Sequence, residues 1–189
     1  MTIVQNGISR QDRVRRVVIL CASFARNLAY QRAMVPFRAR LNQSDHEFWM
    51  TVSNNSLDVA VLEWCKLMAD RNDKHHWSHV VTDAAAFEGS LLTAIGMTKD
   101  EFAGYETAMR RYRDKFIAHL DSDAEMDIPQ LEQAERAVAF YHSHVVEQEA
   151  EGIDLHGLPA TGAQMATYYH AEERSAAIRY DAAMQPVAG

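Results

Sequence analysis

The amino-acid sequence predicts an all-α fold, a bundle of four to six helices joined by short turns. Helix-forming residues such as Ala, Leu, Glu, Arg and Met are abundant, whereas strand-forming runs between turn signals are sparse. Apolar residues recur at three- and four-residue spacing in most segments, and the chain contains only 8 Gly and 4 Pro. At 189 residues the chain is long enough for one substantial hydrophobic core.

The first predicted helix covers residues 11–30. Its apolar side chains fall on one stripe, formed by Val14, Val17, Val18, Cys21, Phe24, Ala25 and Leu28. Both cysteines of the chain, Cys21 and Cys65, occupy such apolar patterns, which indicates buried thiols in a reducing cytosol rather than a disulfide.

Charge is distributed unevenly around this first helix. Residues 1–40 contain eight arginines against Asp12 alone, which is +7, and the remainder contains eleven Lys and Arg against twenty-five Asp and Glu, which is −14. The basic region would either attract an anionic polymer or complement acidic helices of the same fold or dimer. The second interpretation is favoured.

A second helix is predicted after the interruption at Pro36 and the polar turn at residues 42–45. Its expected core side consists of Phe48, Val52, Val59 and Leu62, with Trp49, Ala60 and Leu67 beside them. Three polar residues in its middle, Asn54, Asn55 and Ser56, are expected to hydrogen-bond across the bundle or to face a partner.

Three histidines follow the polar turn at residues 70–74. His75, His76 and His79 have a spacing at which a helix can hold zinc, so a metal-dependent hydrolase is one alternative. The segment lacks the glutamate of the usual zinc-hydrolase motif and a nearby cysteine ligand. Structural histidines around an anchoring Trp77 are therefore the favoured interpretation, and no metal or other cofactor is expected.

Two further helices follow these histidines. A short helix is predicted over residues 82–97, ending at Gly96, and Thr98 with Glu101 forms a capping box for the next one. The apolar side of that next helix comprises Phe102, Tyr105, Met109, Tyr112, Phe116 and Leu120.

The remainder of the chain predicts an acidic linker at residues 121–127, a helix from there to about residue 152, and a final helix over 163–184. The glycines and Pro159 between these two helices indicate a boundary. We therefore divide the chain into a helical bundle with a basic N-terminal helix, residues 1–152, and a linker with a C-terminal helix, residues 153–189. The final helix has a weak apolar pattern and is expected to dock on a partner or to be loosely held.

The fourth helix carries the densest cationic run of the chain, Arg110, Arg111, Arg113 and Lys115, followed by His119. Cleavage of RNA without a metal needs a base for the 2′-hydroxyl, an acid for the leaving 5′-oxygen and cations for the phosphorane charge. Histidine titrates near neutral pH, and the planar fork of arginine matches two phosphate oxygens. This helix is therefore the candidate site for phosphodiester chemistry.

The run Arg113-Asp114-Lys115-Phe116-Ile117-Ala118-His119 resembles the signature of the HEPN superfamily: an arginine, a polar residue directly after it, and a histidine four to six residues beyond. Residues 45–150 are the part of the chain covered by this resemblance, and residues 63–81 are similar to uncharacterised bacterial proteins of the abortive-infection branch. Many members are dimeric α-helical ribonucleases of toxin–antitoxin, abortive-infection and CRISPR systems.

The resemblance implies a role for each motif residue: Arg113 as phosphate ligand, His119 as acid and base, and Asp114 as the polar residue that orients them. It also implies a homodimer, in which two copies of His119 face each other and divide the acid and base roles. Arg110, Arg111 and Lys115 would attract the RNA backbone. An antitoxin protein is a further expected partner.

Helix geometry opposes a simple version of this site. On an ideal helix Arg113 and His119 lie roughly 120° apart in azimuth and about 9 Å apart in rise. The site therefore requires the helix to unwind near residues 118–120, or the long side chain of Arg113 to swing around. Otherwise His119 is a packed histidine beside Tyr112.

Besides the metal-dependent hydrolase of the three histidines, two functions remain open. One is a cytoplasmic, metal-independent HEPN-like ribonuclease acting as a toxin or phage-defence component. The alternative is a non-catalytic helical dimer that binds a partner protein or nucleotide through the same cleft. The N-terminal residues have no apolar signal region, and no apolar run reaches the length of a membrane span.

Overall fold

The computed structural model describes residues 8–40, 46–118 and 128–183. These residues form six α-helices and no β-strand, which confirms the predicted all-α bundle. The helices are α1 Arg10–Met34, α2 His46–Trp64, α3 Ala84–Ile95, α4 Lys99–Tyr112, α5 Leu131–His144 and α6 Gly162–Ala183. None of the described helices has the length and apolar character needed to cross a membrane.

Three of these helices continue beyond their α-helical ends as π-helical turns. The turns are Cys65–Ala69 after α2, Arg113–Ala118 after α4 and Val145–Glu149 after α5. Backbone hydrogen bonds in a π-turn reach five residues along the chain instead of four, so the helix widens locally. Short 3₁₀ helices at Val35–Arg40 and Trp77–His79 complete the regular structure of the described residues.

The first helix organises the core. α1 packs along α2 and α6 and also contacts α5. All of its predicted stripe is buried, as are large side chains of the surrounding elements such as Trp64, Phe87 and Tyr141. Burial of each such side chain stabilises the fold by about 1.5–3 kcal/mol, so the apolar stripe of α1 is a main source of stability. Both cysteines are buried free thiols, as predicted.

The C-terminal helix packs against α1 of the same chain. Four of its side chains are buried, namely Met165, Tyr169, Ala176 and Tyr180. Tyr180 also contacts Trp49 edge to face, with ring centroids 5.6 Å apart. α6 is therefore not loosely held, although the division of the chain at residue 152 stays a prediction.

The buried side of α2 differs from the predicted one. Phe48 was expected in the core, but it is 62% exposed, whereas Ser53 and Ser56 are buried. The hydroxyl of Ser56 donates to the carbonyl of Val52 at 3.1 Å, which satisfies it inside the bundle. Because α2 carries apolar residues on more than one side, its pattern did not determine which side faces α1.

Helix ends follow the predicted local signals. Asp83 caps α3 by accepting from the Ala86 amide at 3.0 Å, and Gly96 ends it in the left-handed conformation with φ 71°. Thr98 and Glu101 form the predicted capping box at the start of α4. These caps fix where α4 begins and therefore where its cationic residues lie.

The arginines of α1 bind other parts of the same fold. Arg10 forms an ion pair with Glu149, and Arg13 Nη1 donates to the carbonyl of His79 at 2.9 Å. Arg32 Nη1 donates to Glu135 at 2.7 Å. For these residues the interpretation that the basic N-terminal region complements the fold is confirmed.

Candidate phosphate-binding pocket

The candidate site lies where α4 changes into its π-turn. Phe102, Met109 and Tyr112 are buried against the core together with Glu106, whereas the other charged side chains of α4 are exposed or partly buried. The amide of Arg113 bonds to the carbonyls of Arg110 and Met109, and the π-turn begins there. The sequence required the helix to unwind near residues 118–120, or the Arg113 side chain to swing around. Within the described residues, which end at residue 118 in this helix, its geometry changes at Arg113.

Arg113 is held by two carboxylates. Its Nε donates to Asp114 at 2.9 Å, and its Nη1 forms an ion pair with Asp70. The side chain is 20% exposed. Burial lowers the pKa of Arg113, but the hydrogen bonds to Asp114 and Asp70 outweigh it, and the pKa lies above its ordinary value. The guanidinium is permanently charged and fixed in orientation.

The two carboxylates leave part of this guanidinium available. An arginine side chain has five N–H groups. One N–H of Nε and one of Nη1 are used, and the remaining three have no acceptor among the described residues. Two parallel N–H groups suffice for a bidentate contact with a phosphate.

An open pocket of about 500 Å³ lies beside this guanidinium. Its lining comes from the end of α2, the following turn and α4, and consists of Ala69, Asp70, Arg71, Asn72, Arg110 and Arg113. Three arginines against one aspartate give the lining a charge of +2, and Asp114 beside it lowers the local sum to +1. This local charge is positive in a chain whose net charge is −7.

Arg110 helps to build the pocket wall. Its Nη1 donates to the carbonyl of Ala69 at 2.8 Å, which ties α4 to the π-turn at the end of α2. Two residues further on, the Tyr112 hydroxyl donates to Asp58 Oδ1 at 2.9 Å. Burial, followed by the contact with Asp58, raises the pKa of Tyr112 above its ordinary value. Both contacts hold the end of α4 against α2.

The structure brings only some of the predicted residues together. Arg110 and Arg113 line the pocket and Asp114 adjoins it, whereas exposed Arg111 and partly buried Lys115 do not line it. His119 lies outside the described residues.

Sequence reasoning missed the other half of the pocket, Asp70, Arg71 and Asn72. The polar run at residues 70–74 was interpreted only as a turn. Its charged residues were the available signal, but nothing in the sequence indicated their pairing with Arg113.

The three histidines of the zinc alternative have separate protein partners. His75 Nδ1 lies 2.8 Å from Asp73, and His79 Nε2 lies 2.6 Å from the Arg71 carbonyl. His76 is buried, with Nε2 2.8 Å from the Met68 carbonyl. In the described part of the chain, no group of three His, Cys, Asp or Glu is arranged to hold a metal ion. These contacts agree with structural histidines rather than metal ligands.

Comparison of the chain with known protein families, curated proteins and solved structures finds no match. The resemblance to the HEPN signature therefore depends on the residues from Arg113 to His119 themselves.

Proposed function

We propose that this protein is a homodimeric, metal-independent ribonuclease of the HEPN type. The pocket beside Arg113 binds a phosphodiester of RNA, and His119 carries out the proton transfers. The resemblance further places such a protein among toxin or phage-defence components of the cytoplasm, with an antitoxin as a partner protein.

One observation carries this proposal: the guanidinium of Arg113 is fixed by two carboxylates at an open, positively charged pocket. A fixed guanidinium with free N–H groups stabilises developing negative charge without reorganising during the reaction. Asp114, the polar residue of the motif, is bonded to Arg113, which agrees with its proposed orienting role. Arg71 and Arg110 add charge for neighbouring phosphates.

The proposed reaction uses only side chains of the protein. One histidine removes the proton of the 2′-hydroxyl, and the 2′-oxygen attacks the adjacent phosphorus. The bond to the 5′-oxygen breaks, and that oxygen takes a proton from a second histidine. The products are a 2′,3′-cyclic phosphate and a 5′-hydroxyl. Because one chain supplies one His119, the two histidines come from the two protomers of a dimer.

The test is incubation of a single-stranded RNA with the protein in EDTA, followed by analysis of the product ends. We expect cleavage by the wild type, none by His119→Ala, and none of an RNA with 2′-deoxyribose at the cleaved position. His156→Ala, in the loop before α6, is the matched control and should cleave as the wild type does. Products with 5′-phosphate ends, or loss of cleavage on chelation, would overturn the mechanism.

A second candidate function is a non-catalytic helical dimer that binds a partner protein or nucleotide through the same pocket. The observation that favours it is the neutralisation of Arg113 by Asp70 and Asp114 in an acidic protein, since acidic proteins bind long RNA weakly. A salt-dependent mobility shift with RNA supports the ribonuclease. Binding of a mononucleotide without binding of longer RNA supports the alternative.

A further inference from the structure

A second cleft, separate from the Arg113 pocket, lies between α1 and α6. It has a volume of about 750 Å³, and the loop at residues 157–159 and one residue of α2 complete it. Its apolar walls include Leu20, Ala22, Leu158, Pro159, Ala163 and Tyr168. This volume and this mainly apolar lining are typical of small-molecule sites, which also contain a few polar groups that orient the ligand.

The residue of α2 in this cleft is Glu63. Its Oε1 accepts a hydrogen bond from the Ser23 hydroxyl at 3.0 Å. Its Oε2 is buried and has no hydrogen-bond partner. A buried carboxylate oxygen without a donor is costly, so a ligand that supplies the donor gains a strong interaction. Burial raises the pKa of Glu63 above its ordinary value, and the Ser23 bond and the charges of Lys66 and Arg26 offset only part of that rise.

The protein's own cations do not occupy this position. Arg26 lines the cleft, but its Nη2 donates to the Ser23 hydroxyl at 3.5 Å. Lys66 lies one turn beyond Glu63 and acts on it only through its charge. One oxygen of the Glu63 carboxylate accepts from Ser23, and the other remains. The site therefore fits a donor that binds a single oxygen, rather than a guanidinium that binds both oxygens at once.

We propose that this cleft binds a small amphipathic amine, with its hydrocarbon part against the walls of α1 and α6 and its ammonium group on Glu63 Oε2. The ammonium is a compact donor, and its hydrogen bond to a carboxylate is charge-assisted. The hydrocarbon part replaces water at the apolar walls. This inference uses no residue of the proposed ribonuclease site and does not depend on RNA cleavage.

The test compares three probes with the same hydrocarbon: phenethylamine, 2-phenylethanol and 3-phenylpropionate. Binding to the full chain is measured by titration of its amide NMR signals. We expect phenethylamine to bind at least about tenfold more tightly than the alcohol, since charge-assisted hydrogen bonds are the stronger ones, and the carboxylate not to bind. The shifts should concentrate at Ser23, Glu63 and Tyr168.

Three variants make the test specific. Glu63→Gln should reduce amine affinity to that of the alcohol, whereas Glu132→Gln, an exposed change of equal charge on α5, should leave it unchanged. Ala171→Trp fills the cleft from its exposed wall and should abolish binding without disturbing the core. Equal affinity for amine and alcohol, undiminished binding to Ala171→Trp, or no binding to the folded wild type would overturn the proposal.

Discussion

Arg113 combines two properties that oppose each other. Its ion pair with Asp70 and its bond to Asp114 fix the guanidinium, and the same carboxylates cancel part of the charge that a phosphate needs. A free arginine would attract RNA more strongly but would lose conformational entropy on binding. In the proposed site the guanidinium is therefore well oriented, at the cost of weaker binding of RNA.

Asp70→Asn separates these two properties. Removal of one negative charge beside the pocket should tighten RNA binding about fivefold, from Coulomb's law at intermediate dielectric. Cleavage should fall about ten- to a hundredfold because Asp114 is then the one of the two carboxylates that still holds the guanidinium. Fluorescence anisotropy measures the first and single-turnover rates the second.

Asp100→Asn, an exposed change of equal charge in the first turn of α4, is the control and should alter neither quantity. If Asp70→Asn lowers binding and cleavage in parallel, Asp70 does not act as a positioning residue for Arg113.

His76 is a neutral, structural histidine. Its Nδ1 accepts from the Ser78 amide at 3.2 Å, so the proton lies on Nε2, which donates to the Met68 carbonyl. Burial lowers the pKa of His76 to about 4, and the charges of His79 and Arg71 act in the same direction. Protonation would also place an N–H of the ring against the Ser78 amide, where the neutral ring accepts a hydrogen bond.

The pH dependence of stability follows from this pKa. The unfolded state binds a proton on His76 below about pH 6.5, and the folded state binds one only below about pH 4. The free energy of unfolding therefore decreases as the pH is lowered from about 6.5 to about 4. The fall is at most about 1.4 kcal/mol per pH unit. Urea unfolding of His76→Gln should show a flatter profile over this range.

Exposed His170→Gln should keep the wild-type profile. Parallel profiles for the wild type and His76→Gln would contradict the assignment of His76 as a buried neutral imidazole.

At the scale of elements, the connection from α3 to α4 sets the position of the site. Gly96 adopts φ 71°, which favours glycine, and its amide bonds to the Leu92 and Thr93 carbonyls. The capping box of Thr98 and Glu101 follows, and α4 begins at Lys99. The face of α4 that carries Arg110 and Arg113 is therefore fixed by local signals at its start.

Replacement by alanine should change the free energy of unfolding in opposite directions at two glycines, one inside α3 and one at its C-terminal cap. Gly96→Ala places a side chain in the left-handed conformation and should lower the free energy of unfolding by about 1 kcal/mol. Gly89→Ala, in the exposed helix interior with nothing within 4 Å of the added methyl group, should raise it by about 0.5–1 kcal/mol. Urea unfolding measures both, and equal signs would contradict the assigned ends of α3.

Local signals also determine how much of the fold the sequence predicts. The stripe of α1 and the caps of α3 and α4 depend on residues within one or two turns, so periodicity and capping rules identify them. α2 was assigned the wrong buried side because Phe48 and the serines cannot be ranked without knowing the position of α1. Tertiary packing decided that side.

Only the local half of the candidate site could be predicted from the sequence, because the other half depends on tertiary packing. Arg113 and Asp114 belong to one short motif, whereas Asp70 lies 43 residues before Arg113 and meets it only through the packing of α4 on the end of α2. The π-turn at Arg113 also has no sequence signal in this chain. The motif thus identified the arginine, and the fold supplied its partner and its pocket.

At the scale of the whole molecule, charge limits how RNA binds. The net charge is −7, and the α1 arginines Arg10, Arg13 and Arg32 are bound to the protein itself. For the proposed ribonuclease we therefore expect phosphate contacts mainly at the three arginines of the Arg113 pocket. We infer a short footprint rather than an extended basic surface.

Salt dependence measures this footprint. For single strands the slope of log affinity against log salt is about −0.7 per phosphate contact, so two or three contacts give about −1.4 to −2.1. Anisotropy titrations of a short RNA between low and physiological salt provide the slope. A slope steeper than about −4 would mean that a broader basic surface binds the RNA.

The measurement that tests the central claim most directly is the single-turnover rate of RNA cleavage in EDTA by Arg113→Ala. Loss of a preorganised donor to the transition state lowers the rate by about 100- to 1,000-fold, and that is the predicted result. Arg136→Ala, an exposed arginine of α5, should remain within about twofold of the wild type. Cleavage by folded Arg113→Ala at the wild-type rate, or no cleavage by the wild type, would contradict the proposed role of the Arg113 pocket.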